Sequence, residues 1–184
     1  LTNVQNRNAL MQRAEELQAN YAKRKEAKAL QGAMSMLNQA TKNVGLDSFA
    51  TRIRLNTNQY SLGIIYVDAN GLKQINDASG HEAGDGYLRR IAKLLSDICG
   101  EKFVYRAGGD EFVVMMEGIS KEDFDEVMQE LRQRIDEDSE VSMAIGTEWL
   151  ESAENVEEAI HEADHRMYED KKKYYMTHDR RRRQ

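Results

Sequence analysis

The chain lacks the residues that mark disulfide-rich, secreted or membrane-spanning proteins. Its 184 residues include one cysteine, one tryptophan and no proline, and aromatic residues make up 7%. Because Cys99 is alone, no disulfide can form within the chain, and a reducing cytoplasm is the simplest compartment. No apolar run approaches the length of a membrane span and no signal peptide is visible. We therefore expect a cytoplasmic domain, free or carried by a larger, membrane-anchored protein.

Other absences exclude classes of ligand. No Gly-x-x-x-x-Gly-Lys-Ser/Thr loop occurs, which disfavours a general nucleotide-binding ATPase of that type. Basic residues are not interleaved with stacking aromatic residues, so we expect no nucleic-acid partner. The arginines at 180–183 could meet phosphates or anionic lipid, but a solvated tail is the simpler interpretation, and we expect no membrane contact by this domain.

The net charge of −6 is unevenly distributed. Residues 1–60 carry 9 Lys and Arg against 4 Asp and Glu, whereas the other 124 residues carry 17 against 28. Much of the acidity lies between 117 and 170, on segments with apolar stripes, and indicates solvated helix faces. A chain of this length is long enough for one core and too short for two.

The first fifty residues predict helices. One apolar stripe follows helical spacing, and a second follows it after a basic stretch at 23–28 that breaks the phase. The stripes consist of Leu10, Ala14, Leu17 and Tyr21, and of Leu30, Ala33, Leu37, Ala40 and Val44. The pattern predicts either two helices or one bent helix.

After residue 60, strands and helices alternate around a hairpin. Strands are predicted at 61–67, 103–107, 112–116 and 141–147, and helices at 72–78, from about 82, after Ser120 and after Asn155. Ser120 stands where it can cap its helix, with Asp123 in the capping-box position. This order predicts an α+β fold in which helices flank a mainly antiparallel central sheet.

The chemistry is concentrated where two of these strands end. Gly108 and Gly109 form a turn that would lift Asp110 and Glu111 to the tip of the hairpin. Asp68 ends the buried strand upstream. Taken alone, the hairpin could be a surface loop with an acidic turn. Three acids in one place repel one another unless cations neutralise them, and such oxygen ligands suit Mg²⁺ or Mn²⁺.

A second set of polar residues follows Asp68 at short spacing. Lys73 offers a cation for a phosphate, Asn76 an amide for a base edge, and Asp85 an acceptor for amino and imino groups. The alternative for Asn76 is a helix cap or a turn.

Six segments resemble, in the right order, the motifs of the GGDEF domain, the catalytic domain of diguanylate cyclases. They are 1–7, 68–77, 80–85, 108–112, 142–146 and 163–171, and 108–112 is the Gly-Gly-Asp-Glu-Phe pentad itself. The resemblance implies the palm-like fold of nucleotidyl cyclases and some polymerases. It also implies a domain at 1–176 with a helical N-terminal region at 1–58, long enough for an insertion, and a basic tail at 177–184.

The resemblance implies a reaction as well: two GTP molecules condense into cyclic di-GMP and pyrophosphate across a homodimer, with two Mg²⁺ or Mn²⁺ ions per site. Asp68, Asp110 and Glu111 would be catalytic. The metal ligands would be Asp68, the Ala69 carbonyl, Asp110 and Glu111, although Glu111 could instead act as the base. Substrate would contact Asn76, Asp85, Lys73, Gly71, Leu72, Gly108, Gly109, Lys171 and Arg106. The alternative is a catalytically silent, GTP-binding receptor module.

The chain departs from the family pattern in three places. Asn70 replaces a second Asp, no Gly-Arg-Asn follows Lys171, and residues 99–102 lack the Arg-x-x-Asp motif at which many members bind product. Product inhibition through that route is therefore not expected. Because Leu1 rather than Met opens the chain, we also expect a sensory or regulatory part outside this sequence.

Overall fold

The computed structural model describes residues 2–41 and 60–181. In these ranges the elements are β1 (Gln5–Asn6), α1 (Arg7–Thr41), β2 (Leu62–Ala69), α2 (Leu72–Ser79), α3 (His81–Cys99), β3 (Val104–Arg106), β4 (Glu111–Glu117), α4 (Lys121–Glu137), β5 (Met143–Leu150) and α5 (Val156–Arg181). No helix in the described ranges has both the length and the apolar character needed to cross a membrane.

The strands form one five-stranded sheet in the order β1-β3-β4-β2-β5. The pairing of β1 with β3 is parallel, and the other three pairings are antiparallel. The predicted α+β fold with a mainly antiparallel sheet flanked by helices is confirmed. The long strand β2 lies between β4 and β5, so the residue at its end is enclosed by strands on both sides.

Alternation along the strands separates two cores. Ile65 and Val67 of β2 lie in a cluster with buried residues of α3 and α4, whereas Ile64 lies in a cluster with buried residues of α1 and α5. Because successive side chains of a strand point to opposite faces, the position of each residue in β2 and β4 decides which helices it meets.

Helix α1 is one uninterrupted helix from Arg7 to Thr41, which settles the two possibilities left open by the sequence. Its first stripe packs on the sheet: Leu10 and Ala14 are buried, and Arg13 donates two hydrogen bonds of 2.6 Å to Glu117. The second stripe is different, because Leu30 is 66% exposed. Val44 lies outside the described residues.

The other predicted elements lie close to their expected positions. The Ser120 hydroxyl caps α4 by accepting a hydrogen bond from the Asp123 N–H at 3.0 Å. Helix α5 continues to Arg181, so the beginning of the predicted basic tail is helical.

Helix α5 packs unusually close to β5. A side chain at Gly146 would place its Cβ 1.9 Å from the Ala163 carbonyl oxygen and 2.3 Å from the Met167 nitrogen. Asp170 Oδ2 accepts a hydrogen bond of 3.0 Å from the Ile145 N–H, and Arg166 donates one of 2.6 Å to the Thr147 carbonyl. Backbone contact and side-chain hydrogen bonds together fix α5 on the last strand.

Replacing Gly146 should therefore destabilise the fold. We expect Gly146→Ala to lower the free energy of unfolding by about 1–3 kcal/mol, because neither backbone can yield to the added methyl group. Urea unfolding monitored by circular dichroism measures this change.

Gly86→Ala is the matched control. A Cβ at Gly86 in α3 would have no heavy atom within 4 Å, so this change should raise stability by about 0.5–1 kcal/mol through helix propensity. Equal effects of the two variants would contradict the close packing of α5 on β5.

Candidate active site

Two of the predicted catalytic acids lie opposite each other on the neighbouring strands β2 and β4. The antiparallel register of β2 and β4 pairs Asp68 with Glu111. Ile64 in β2 and Val113 in β4 pack against α1 and α5, and each lies an even number of residues from the acid in its own strand. Because side chains alternate along a strand, both carboxylates point toward the face of the sheet that α5 covers. Asp68 is 4% exposed, so its charge lies almost entirely inside the protein.

Asp110 joins this site through the backbone. Its carbonyl accepts a hydrogen bond of 3.0 Å from the Ala69 N–H, which ties the hairpin tip to the end of β2. Beyond the effect of burial, the charge of the Asp110 carboxylate raises the pKa of Asp68, and Asp110 also lines a neighbouring cleft. Ala69 and the three predicted acids therefore lie at one end of β2 and β4, as the sequence suggests.

The glycine turn makes room for Glu111 and is held in place by arginine. A Cβ at Gly108 would lie 2.5 Å from Glu111 Oε2, so a side chain at this position would force that carboxylate to shift. Arg106 donates hydrogen bonds to the carbonyls of Gly108, at 3.2 Å, and Gly109, at 2.5 Å. Arg106 thus braces the loop.

Lys171 forms an ion pair with Asp68, one of the predicted metal ligands. Its Nζ is 2.6 Å from Asp68 Oδ2, and the side chains of the pair are 26% and 5% exposed, respectively. The other oxygen, Asp68 Oδ1, is buried and has no hydrogen-bond partner among the described residues. A buried carboxylate with one unpaired oxygen is an incompletely satisfied group, which favours a cation.

The electrostatics of the site oppose ionisation of its acids. Burial raises the pKa of Asp68 more than the hydrogen bond from Lys171 lowers it. Burial, followed by the charges of Asp68 and Asp110, also raises the pKa of Glu111. For Lys171, burial lowers the pKa, but the hydrogen bond and charge of Asp68 outweigh it and the pKa is raised. Burial is thus the main cause that opposes ionisation of Asp68 and Glu111, and the charges of neighbouring carboxylates add to it.

A cleft opens beside the acids, on the side of α2 and α3. It has a volume of about 420 Å³ and is lined by Leu72, Lys73, Asn76, Asp77, His81, Gly84, Asp85, Leu88, Arg106, Gly109 and Asp110. A Cβ at Gly84 would lie 2.0 Å from Asn76 Oδ1, so this glycine lets the Asn76 amide rest against α3, next to Asp85. The structure thus brings together the predicted base-binding pair and a predicted phosphate lysine, Lys73.

The turn between β2 and α2 is fixed by residues on both sides. Gly71 precedes α2 in a left-handed conformation, with φ of 76°, which leads the chain from β2 into the helix at Leu72. The Tyr87 hydroxyl accepts a hydrogen bond of 3.0 Å from the Ser142 N–H and lies 3.0 Å from the Asn70 carbonyl. The first N–H groups of α2 are in this way held at the rim of the site.

Two residues of the site were missed by the sequence analysis. The charge of Asp164 contributes to the raised pKa of both Asp68 and Glu111, and Tyr87 holds the turn at Asn70. The sequence could have indicated Asp164, because it stands seven residues before Lys171 and so lies on the same face of the helix. No signal identified Tyr87.

The residues present fit a divalent cation that is completed by a ligand. Within residues 2–41 and 60–181, no three His, Cys, Asp or Glu side chains form a metal-binding group by themselves. Yet Asp68 has an unpaired, buried oxygen, and the carboxylates of Glu111 and Asp110 lie nearby. Mg²⁺ is commonly held by one or two carboxylates together with substrate phosphates, which matches this donor set.

Comparison with known proteins yields consistent matches. The family model described as "Diguanylate cyclase, GGDEF domain" matches residues 35–176. The chain is 28% identical to diguanylate cyclase DosC of Escherichia coli K12 over 117 residues, which cover 58% of this chain and 25% of that protein. The chain thus spans about a quarter of the length of that relative.

Solved structures show the same fold. The coiled coil and GGDEF domain of DgcB from Caulobacter crescentus, in complex with c-di-GMP, has a TM-score of 0.64 at 17% identity and covers 93% of this chain and 78% of its own. The active GGEEF domain of a diguanylate cyclase from Vibrio cholerae has a TM-score of 0.54 at 25% identity, covering 62% of this chain and 78% of its own. With a family model that matches more than half of its length, the chain belongs to the GGDEF domain family of diguanylate cyclases.

Proposed function

We propose that this chain is the catalytic domain of a diguanylate cyclase, which condenses two GTP molecules into cyclic di-GMP with release of pyrophosphate. The observation that carries the proposal is the position of Asp110. It belongs to the acidic end of β2 and β4 and also lines the cleft that contains Asn76 and Asp85. A nucleotide whose base lies in the cleft would therefore extend its phosphates toward Asp68 and Glu111.

The acids supply the charge that the reaction needs. Attack of a 3′-hydroxyl on an α-phosphate requires stabilisation of both the attacking and the leaving oxygen, which two bound divalent ions provide. Asp68, the Ala69 carbonyl, Asp110 and Glu111 would hold two Mg²⁺ or Mn²⁺ ions. Glu111, opposite Asp68, would serve as a further ligand or accept the proton of the 3′-hydroxyl.

Recognition of guanine falls to Asn76 and Asp85. A carboxylate at Asp85 can accept hydrogen bonds from the N1–H and N2–H groups of guanine, donors that adenine lacks. Asn76, held against α3 at Gly84, presents its amide to the same base. A polar group left unpaired by adenine would favour GTP by about 1–3 kcal/mol.

The phosphates would meet cations and backbone N–H groups. Lys73 lies in the cleft, and the N–H groups of Gly71 and Leu72 stand at the start of α2. Gly108 and Gly109 would allow the nucleotide to approach the hairpin closely. Lys171 lies next to the acids and is the other phosphate candidate. The family arginine beyond it is lacking, and Lys172 is paired with Glu169 at 2.7 Å.

Catalysis would require two copies of the domain. A cleft of about 420 Å³ has room for one nucleotide, whereas the product contains two. We propose that two domains meet face to face, each holding one GTP, and that a sensory or regulatory part outside this sequence controls their encounter.

The first test is product formation. The concentrated protein, incubated with GTP and Mg²⁺, should form cyclic di-GMP detectable by mass spectrometry. Asp110→Asn should lower the rate by about a hundredfold or more, the usual cost of removing a charge-stabilising group at a reacting centre.

Asp136→Asn, an exposed acid on α4, is the matched control and should keep full activity. If no product forms, a dimerising coiled coil fused ahead of the chain separates failure to dimerise from lack of catalysis. A forced dimer that binds GTP and remains inactive would contradict the cyclase proposal and support the receptor alternative.

Base selectivity gives a second prediction. Asp85→Asn should weaken GTP binding by about tenfold, because the amide offers one acceptor where the carboxylate offers two. Fluorescence titration with GTP and ATP measures the loss and the change in preference. Asp97→Asn, at an exposed position of the same helix, should bind GTP as the native protein does. A variant of Asp85 with unchanged selectivity would exclude this residue from base recognition.

The raised pKa values predict how metal affinity and stability depend on pH. Because Asp68 and Glu111 must be ionised to bind Mg²⁺, affinity should begin to fall at a pH above the ordinary carboxyl range of about 4. In metal-free protein, ionised Glu111 destabilises the fold above its raised pKa. Glu111→Gln should therefore raise stability at neutral pH by up to about 1 kcal/mol, and the gain should vanish in acid.

Thermal unfolding across pH, with and without Mg²⁺, measures both effects. Glu126→Gln, an exposed acid on α4, is the control and should change neither. Lower stability of Glu111→Gln at neutral pH would contradict the repulsion between Glu111 and Asp68.

A further inference from the structure

One oxygen of the Asp68 carboxylate, Oδ2, already forms an ion pair with a lysine of this chain, Lys171. We propose that Lys171 is a displaceable counter-ion: it pairs with Asp68 Oδ2 before a metal binds, weakens binding of a divalent ion alone, and leaves when a nucleotide supplies phosphates to receive its ammonium. This inference rests on the proposed function, because it takes Asp68 to be a metal ligand.

The geometry makes the lysine and a metal ion competitors. The 2.6 Å contact between Lys171 Nζ and Asp68 Oδ2 is a charge-assisted hydrogen bond at a carboxylate that is 5% exposed. The remaining oxygen, Oδ1, is buried without a partner among the described residues. An ion bound at that oxygen would lie beside the ammonium and be repelled by it as long as Lys171 remained in place.

Only the side chain of Lys171 needs to move. Its helix is fixed to β5 immediately before the lysine, where Asp170 Oδ2 accepts the Ile145 N–H at 3.0 Å. About one to two turns earlier, between Ala163 and Met167, the backbone of α5 lies directly against Gly146. Since the backbone is held, the flexible four-carbon stem of the lysine carries the whole displacement.

The charge balance explains why displacement requires the nucleotide. Asp68, Glu111, Asp110 and Asp164 all act on the site, and Lys171 is the cation that offsets them. Moving the ammonium away breaks its ion pair with Asp68. A divalent ion that binds without nucleotide must compensate for the whole energy of that lost pair. A triphosphate lowers this cost, because it receives the ammonium while its own oxygens complete the ion's coordination.

The test measures metal binding without nucleotide or turnover. Mn²⁺ is titrated into the native protein and into Lys171→Met, with free Mn²⁺ followed by electron paramagnetic resonance. We expect Lys171→Met to bind Mn²⁺ about tenfold more tightly, because no ammonium competes for Asp68. A merely structural role for Lys171 predicts the opposite, since damage to the site weakens binding.

Two further variants and one stability measurement complete the test. Lys171→Arg keeps the competing charge and should bind Mn²⁺ as weakly as the native protein, and Lys172→Met removes a neighbouring exposed charge and should do the same. In EDTA, Lys171→Met should melt at a lower temperature than the native protein. Mn²⁺ should raise the melting temperature of Lys171→Met by more than it raises that of the native protein. These melts also show that the variant is folded.

The outcomes separate this inference from the proposed function. If the native protein binds Mn²⁺ and Lys171→Met binds it equally or less tightly, the counter-ion role is wrong while the metal site stands. If none of the proteins binds Mn²⁺, the assignment of Asp68 as a metal ligand fails and the inference fails with it.

Discussion

The repulsion between Asp68 and Glu111, paired across the central strands, is the constraint on which the site depends. Like charges opposite each other destabilise a sheet, and here one of them is also buried. The register cannot shift to relieve them, because a shift of one residue would exchange the apolar side chains of β2 between two cores that are packed differently. The packing of both cores thus holds the two acids opposite each other.

Several other features hold the acids in this unfavourable arrangement. The glycine turn leaves space for the Glu111 carboxylate, and Arg106 braces the loop by binding its carbonyls. Tyr87 fixes the turn after Asp68 from the side of α3. Helix α5 delivers Lys171 to Asp68 from a position 103 residues away in sequence. The site is therefore preorganised by rigid elements on three sides, while its charge remains unbalanced until ligands bind.

Local pattern sufficed to predict the strands, the hairpin and the convergence of the acids, because strand alternation and turn glycines act over a few residues. Asn76 and Asp85, which the sequence offered as contacts to one base, lie in the same cleft. The pairing of Lys171 with Asp68 could not be read in this way, since it depends on how α5 crosses the sheet. The phase break at 23–28 did not interrupt α1, because lysine, arginine, glutamate and alanine are strong helix formers.

The hydrogen bonds from α5 to β5 have a consequence for how two copies can associate. Strand β5 is the last on its side of the described sheet, and a bare edge strand invites another strand to pair with it. Here Asp170 accepts a hydrogen bond from the Ile145 N–H, and Arg166 donates one to the Thr147 carbonyl. Two of the backbone groups with which a new strand would pair are therefore already hydrogen-bonded. Growth of the sheet from one molecule into the next is therefore disfavoured at this edge.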